Sequence, residues 1–197
     1  MVAKGKKIEN NYNSKTTDDQ QEFLIEVTQD DKTIGKIRRE ECHNESKKPW
    51  HRTTHTYLFT PDGNIILGRR SNTKDTGAGG WSSSVAGHVN WGESYDEAAK
   101  IELGEELGLK IRLTRIDKIA VDFGSEREFI AIYVGVTEKI NSILASELMD
   151  VKTFDYKDIV KRFKKGTFDL SGGSRDSFKY LIETGILDEW HKKLIRK

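Results

Sequence analysis

Two strand-like runs in EFLIEVTQDDKTIGKIRRE, Glu22 to Glu40, flank the turn-forming Gln29-Asp30-Asp31 and predict a small hairpin. A clearer hairpin follows in THTYLFTPDGNIILGRR. There a Thr- and aromatic-rich run ends at Thr60, and Pro61-Asp62-Gly63 supplies the turn. Proline presets φ and glycine accepts positive φ. SNTKDTGAGGWSSS, from Ser71, is a loop by composition. The period then becomes helical. Ser94 and Glu97 stand at capping-box spacing, Leu103 and Leu107 form a core face, and Gly108 with Leu109 marks the end. Ala98 and Ala99 leave room beneath the residues that follow them. Gly104 costs about 1 kcal/mol inside a helix, so a closely packed neighbouring loop is expected there.

KIAVDF and EFIAIYVGV read as paired strands joined through GSER, and VKTFDY as another short strand. KDIVKRFKK, SRDSFKYLIET and ILDEWHKKLI carry helical periodicity, with Ser171 and Asp176 as candidate caps. Strands, a helix, more strands and then helices make a mixed α+β layered domain. Residues 1–20 are polar and aperiodic and read as a mobile tail, leaving 21–197 as a single domain.

Composition narrows the function. The 197 residues carry a net charge of +1, so neither nucleic acid nor an anionic membrane is the expected partner. The basic runs KRFKK and HKKLIRK read as solvated helix faces. The single cysteine, Cys42, allows no internal disulfide. No apolar run is long enough to span a membrane, and a cytoplasmic location is expected. Oligomeric state stays open, a homodimer included.

The chemistry begins with a cost. Glu102, Glu105 and Glu106 fall on one helix face, where like charges repel by roughly 0.2–0.5 kcal/mol per pair. A hard divalent cation converts that repulsion into binding. The surrounding run is Gly87, five residues, Glu93, seven residues, then IELGEELGL. It resembles the Nudix signature G-x5-E-x7-R-E-U-x-E-E-x-G-U at every fixed position but one. The resemblance implies a Nudix fold, an α/β/α sandwich with a mixed sheet and a loop–helix–loop site. It also implies hydrolysis of a diphosphate joined to a small metabolite. Glu102, Glu105 and Glu106 would bind Mg²⁺ or Mn²⁺, with Gly87 among the metal-site positions and Glu93 and Gly108 supporting the motif. The departure is Ile101, where the family has an arginine that pairs with the loop glutamate. Two readings therefore stay open: a hydrolase of reduced activity, and a non-catalytic ligand-binding domain.

The likeness reaches further, through EECHNESKKPWHRTTHTYLF, ILGRRSNTKD and GWSSSVAGHV, to the Nudix branch that includes isopentenyl-diphosphate isomerase. There it implies a second divalent metal at His43, His51, His88, Glu126 and Glu128, a donor set suited to Zn²⁺ or Mn²⁺. The isomerase's catalytic thiol falls at Ala86, which has no titratable group, so isomerisation is not expected. Arg69, Arg70 and Lys74 are candidate diphosphate ligands. His55 has no matched role and reads as strand filler. Trp81 and Trp91 flank the site loop as stacking candidates.

Overall fold

The computed structural model describes residues 16–44, 46–122 and 126–196. Most of the expected tail, residues 1–15, and part of the GSER connection lie outside them. β1 (Phe23–Val27) and β2 (Thr33–Arg38) form the first hairpin, followed by one helical turn, α1 (Arg39–Cys42). The long strand β3 (Trp50–Phe59) turns into β4 (Ile65–Arg70). Gly63 takes up the reversal at φ +89°, where any L side chain would be strained. β5 (Trp81–Ser82) and β6 (Val85–His88) lead to α2 (Tyr95–Leu107). β7 (Thr114–Asp122), β8 (Arg127–Val136) and β9 (Leu148–Phe154) come next. Three helices close the chain: α3 (Tyr156–Lys164), α4 (Gly172–Glu183) and α5 (Ile186–Leu194).

One edge of β3 pairs in parallel with β8 along its whole length. The opposite edge is shared in turn by β1, β6 and β4, with β6 covering Thr53 to Thr56. Because β6 pairs with β3 alone, a slot opens between the β1–β2 hairpin and the β4–β9 pair. Neighbouring residues of a strand face opposite sides. Leu58 joins Ile66, Val85, Leu103 and Leu107 on the α2 side. Tyr57 and Phe59 join Ile130, Ile132, Phe178 and Leu181 beneath α3 to α5. The result is an α/β/α sandwich around a mixed sheet.

Helix α2 forms as its ends predict. Glu97 N–H donates to Ser94 Oγ at 3.3 Å, and Ser94 N–H donates to Glu97 Oε2 at 2.9 Å. Gly108 adopts φ +64° and its N–H reaches back to Gly104 O, the five-to-one bond of an αL end. Three expectations change. A Cβ on Gly104 would meet only Leu109 O, at 3.9 Å, so no close neighbour requires that glycine. Asp176 lies inside α4, and Ser171, at the cap position, instead donates its hydroxyl to Trp81 O at 3.2 Å. The last residues of the expected tail also pack on the domain. Asp18 is drawn in by Lys74 and Arg39, and Thr17 N–H donates to Thr73 O.

Candidate metal and phosphate site

A cavity of about 290 Å³ occupies the slot, walled by α2, β3, β6, the start of β8, the start of α4 and residues 17–22. Glu102, Glu105 and Glu106 all line it. Gly87 explains how Glu102 arrives there: a Cβ on Gly87 would overlap the Glu102 carboxylate. Without a side chain at 87, the carboxylate passes across β6 into the cavity. Glu106 is buried and Glu105 exposed. Burial, then the carboxylates of Glu147, Glu105 and Glu22, push Glu102 up to about 8, against the pull of Lys74. Burial, then Glu102 and Glu147, hold Glu106 well above its ordinary value. Buried acids that raise one another in this way suit a hard divalent cation, which removes both the repulsion and the cost of burial.

A second group lies deeper. His43, His51, His88 and Glu126 each offer an atom within 4.8 Å of the others. His43 follows α1, and Asp75 Oδ2 holds its Nδ1 at 2.9 Å. That turns His43 Nε2 inward, 3.4 Å from His88 Nε2 and 3.6 Å from Glu126 Oε2. His51 Nδ1 lies 3.3 Å from Pro49 O, while its Nε2 and Glu126 Oε1 are buried without a hydrogen-bond partner. Orphaned buried polar atoms are costly. A metal would satisfy both, and carboxylate or carbonyl partners on the outer histidine nitrogens are what metal ligation calls for. Burial, with Arg39, His51 and His43 nearby, keeps His88 well below the ordinary imidazole value and so neutral, the form that ligates. The residues therefore fit a divalent metal. Glu128 stands beside the group, Oε1 3.7 Å from His51 Nε2, with its other oxygen accepting from Thr53 Oγ1 at 3.3 Å.

The basic candidates divide. Arg70 lines the cavity, its Nε donating to Thr76 O at 3.0 Å, whereas Arg69 lies outside the lining and donates to Gly79 O. Lys74 lines the cavity but is already paired, with Asp18 and with Glu147 at 2.6 Å. Ile101 is 41% exposed on α2. Glu93, the arginine's partner by resemblance, accepts the Asn90 N–H at 3.0 Å. Trp81 packs against Phe154 and Phe168, Trp91 is exposed, and neither lines the cavity. Cys42 is fully buried.

Several residues here escape a reading of the sequence. Glu147, in the loop before β9, adds a carboxylate to the cavity. Asp75 binds both His43 and Arg39, the latter at 3.0 Å. His55, read as strand filler, stands in the cavity wall. The only local cue was parity: His51, Thr53 and His55 share one face of β3.

An α/β/α sandwich with a carboxylate-rich cavity and a buried His/Glu cluster defines a class of protein equipped to coordinate a divalent metal. Residues 49–171 match the NUDIX domain, and the chain belongs to that family. It is 33% identical over 120 residues to an isopentenyl-diphosphate Delta-isomerase of Serratia proteamaculans, covering 58% of this chain and 66% of that protein. Isopentenyl-diphosphate Delta-isomerase 2 of Photorhabdus laumondii is 31% identical over 136 residues, covering 66% and 76%. DR0079 from Deinococcus radiodurans shares the fold, with TM-score 0.68 and 20% identity over 81% of this chain and 98% of that one. Family membership together with the His/Glu cluster supports metal-dependent hydrolysis of a diphosphate-containing substrate. No helix among the described residues is long and apolar enough to cross a membrane.

Proposed function

We propose that this protein hydrolyses a diphosphate bond in a small metabolite, a nucleoside diphosphate derivative or an isoprenoid-type diphosphate, with Mg²⁺ or Mn²⁺ at Glu102, Glu105 and Glu106. The observation that supports this most is the passage of Glu102 over Gly87 to join Glu106 and Glu147 in the cavity that Arg70 also lines. When bound, the metal supplies charge neutralisation at the phosphoryl oxygens and acidifies water. The carboxylates hold it, and one of them takes the proton from the attacking water. Arg70 binds the distal phosphate through its guanidinium, and Lys74 joins it once Asp18 gives way. His43, His51, His88 and Glu126, with Glu128 adjacent, hold a second divalent ion. Isomerisation needs a group that moves a proton to or from carbon. Ala86, at the thiol position by resemblance, lines the cavity with only a methyl group.

A second reading rests on Ile101, which leaves Glu93 without its cationic partner: a Nudix domain that binds such a ligand without turning it over. The test is a screen of nucleoside diphosphate derivatives and prenyl diphosphates with the metal varied. Metal-dependent release of phosphate or a monophosphate supports hydrolysis. Binding without release supports the second reading. Conversion of isopentenyl to dimethylallyl diphosphate would overturn both.

A further inference from the structure

His55 is a buried histidine that the proposed reaction leaves unused. It is 5% exposed, lines the cavity, and lies directly across from Ala86 in the β3–β6 register. Its Nδ1 is 2.9 Å from Ser177 Oγ, and Ser177 Oγ is 2.8 Å from Tyr57 OH. Tyr57 and Ser177 are buried, and Tyr57 OH also reaches Ser174 O at 3.2 Å. Ser177 Oγ also reaches Ser174 O, at 3.3 Å, so the two hydroxyls share that carbonyl as acceptor and Ser177 meets Nδ1 in either ring tautomer. Nε2 has no partner among the described residues. The ring is also placed from behind. A Cβ on Gly173 would come within 3.2 Å of His55 Cε1 and 2.8 Å of Glu128 Oε2, so glycine lets α4 close on the imidazole. His55, Glu128 and Arg70 line the same cavity, and both charged groups act on the ring.

Resting on the diphosphate reading above, we propose that His55 is a substrate-contacting residue whose Nε2–H donates to a phosphoryl oxygen of a diphosphate held between Arg70 and the metal cluster. Burial brings His55 down to about 4, so the ring donates as a neutral imidazole, polarising the oxygen without adding charge or giving up its proton. Alanine at 86 leaves the space opposite the ring open to the ligand. In this assignment Ser177 donates to Nδ1, which leaves the ring proton on Nε2 and makes Ser177 a positioning residue.

The test uses methylenediphosphonate, a diphosphate whose carbon bridge cannot be hydrolysed, with the full chain and Mg²⁺. Calorimetry measures affinity for wild type, His55→Phe and His55→Gln. Phenylalanine keeps the ring volume and leaves Ser177 bonded to Tyr57. Glutamine can place an amide N–H where Nε2–H stood. His55→Phe is expected to weaken binding about tenfold, the scale of one hydrogen bond to a charged group, and His55→Gln to recover most of it. Long-range ¹H–¹⁵N spectra of histidine-labelled protein give a readout that a purely structural role would not move. Saturation with the ligand shifts the His55 Nε2 signal, while Nδ1 stays unprotonated. If wild type binds but His55 is silent, or if phenylalanine binds as well as histidine at unchanged thermal stability, the assignment is overturned. If either variant unfolds, the wild-type spectra alone decide. If wild type binds no methylenediphosphonate, the diphosphate reading fails and His55 loses its role with it.

Discussion

Replacing Glu102 by Gln should stabilise the metal-free protein at alkaline pH while removing its response to magnesium. Burial and neighbouring carboxylates raise Glu102 from its ordinary 4.5 to about 8. Between those values the folded protein holds a proton that the unfolded chain has lost, so stability falls as pH rises through that window. At about 1.4 kcal/mol per pH unit, the ceiling on that loss is about 5 kcal/mol. The glutamine amide has no such proton to lose. The variant should therefore match wild type near pH 4.5 and exceed it progressively up to pH 8. His55 and His88 are held neutral below the ordinary 6.5 and pull the other way in mildly acid solution, but both are present in both proteins. The difference between variant and wild type is therefore the quantity to measure.

Urea unfolding at pH 5 and pH 8, with chelator and with Mg²⁺, measures it. Magnesium at a hundred times its dissociation constant should add about 2.7 kcal/mol to wild type and far less to the variant. A variant whose advantage is the same at both pH values would show that Glu102 ionises normally and is not confined with Glu106. Equal stabilisation of both proteins by magnesium would move the metal elsewhere.

Ile101→Arg should raise turnover, up to about fivefold if the exposed position gives the new guanidinium a surface-strength pair with Glu93; steady-state kinetics on the best substrate of the screen checks it, and an unchanged or lower rate refutes it. Asp75→Asn removes the carboxylate behind His43 and one partner of buried Arg39. Metal affinity at the His/Glu cluster should fall by about 10–100-fold, read by competition with a chromophoric chelator, and stability by about 1–3 kcal/mol, since Asp18 and Glu22 still pair with Arg39, read by denaturant melts. Asp18→Asn should remove one of the two carboxylates that hold Lys74, with Glu147 remaining, and tighten methylenediphosphonate binding by up to about tenfold, the scale of one charge-assisted hydrogen bond; weaker binding would mean that Asp18 supports the site.

What was legible in the sequence is what neighbours along the chain decide. Ser94 with Glu97, Gly108 with Leu109, and Pro61-Asp62-Gly63 each act within a few residues, and each forms as its chemistry dictates. The box glutamates were legible too, because their spacing is a helix period. The rest depends on contacts between distant segments. Asp75 meets His43 across 32 positions, and His55 meets Ser177 across 122; no local period encodes either. Lys74 was readable as a cation but not as one already engaged, since Asp18 approaches from a segment whose composition resembles a tail.

The Glu102–Gly87 contact joins the two kinds of information. On α2 alone, three glutamates on one face are a small electrostatic penalty that any solvated helix tolerates. The fold makes the penalty large by placing β6 against α2 and leaving β6 unpaired along its other edge. Glycine at 87 then admits a carboxylate where a side chain would have kept it in solvent, and Glu147 arrives from the loop before β9 to raise the charge further. A sheet slot that gathers acids at a cost of several kcal/mol works against the stability of the metal-free domain. Protonation relieves that cost below the raised pKa, and a bound cation relieves it above, so the energetics of the fold, independently of the motif, fit a cation-binding site.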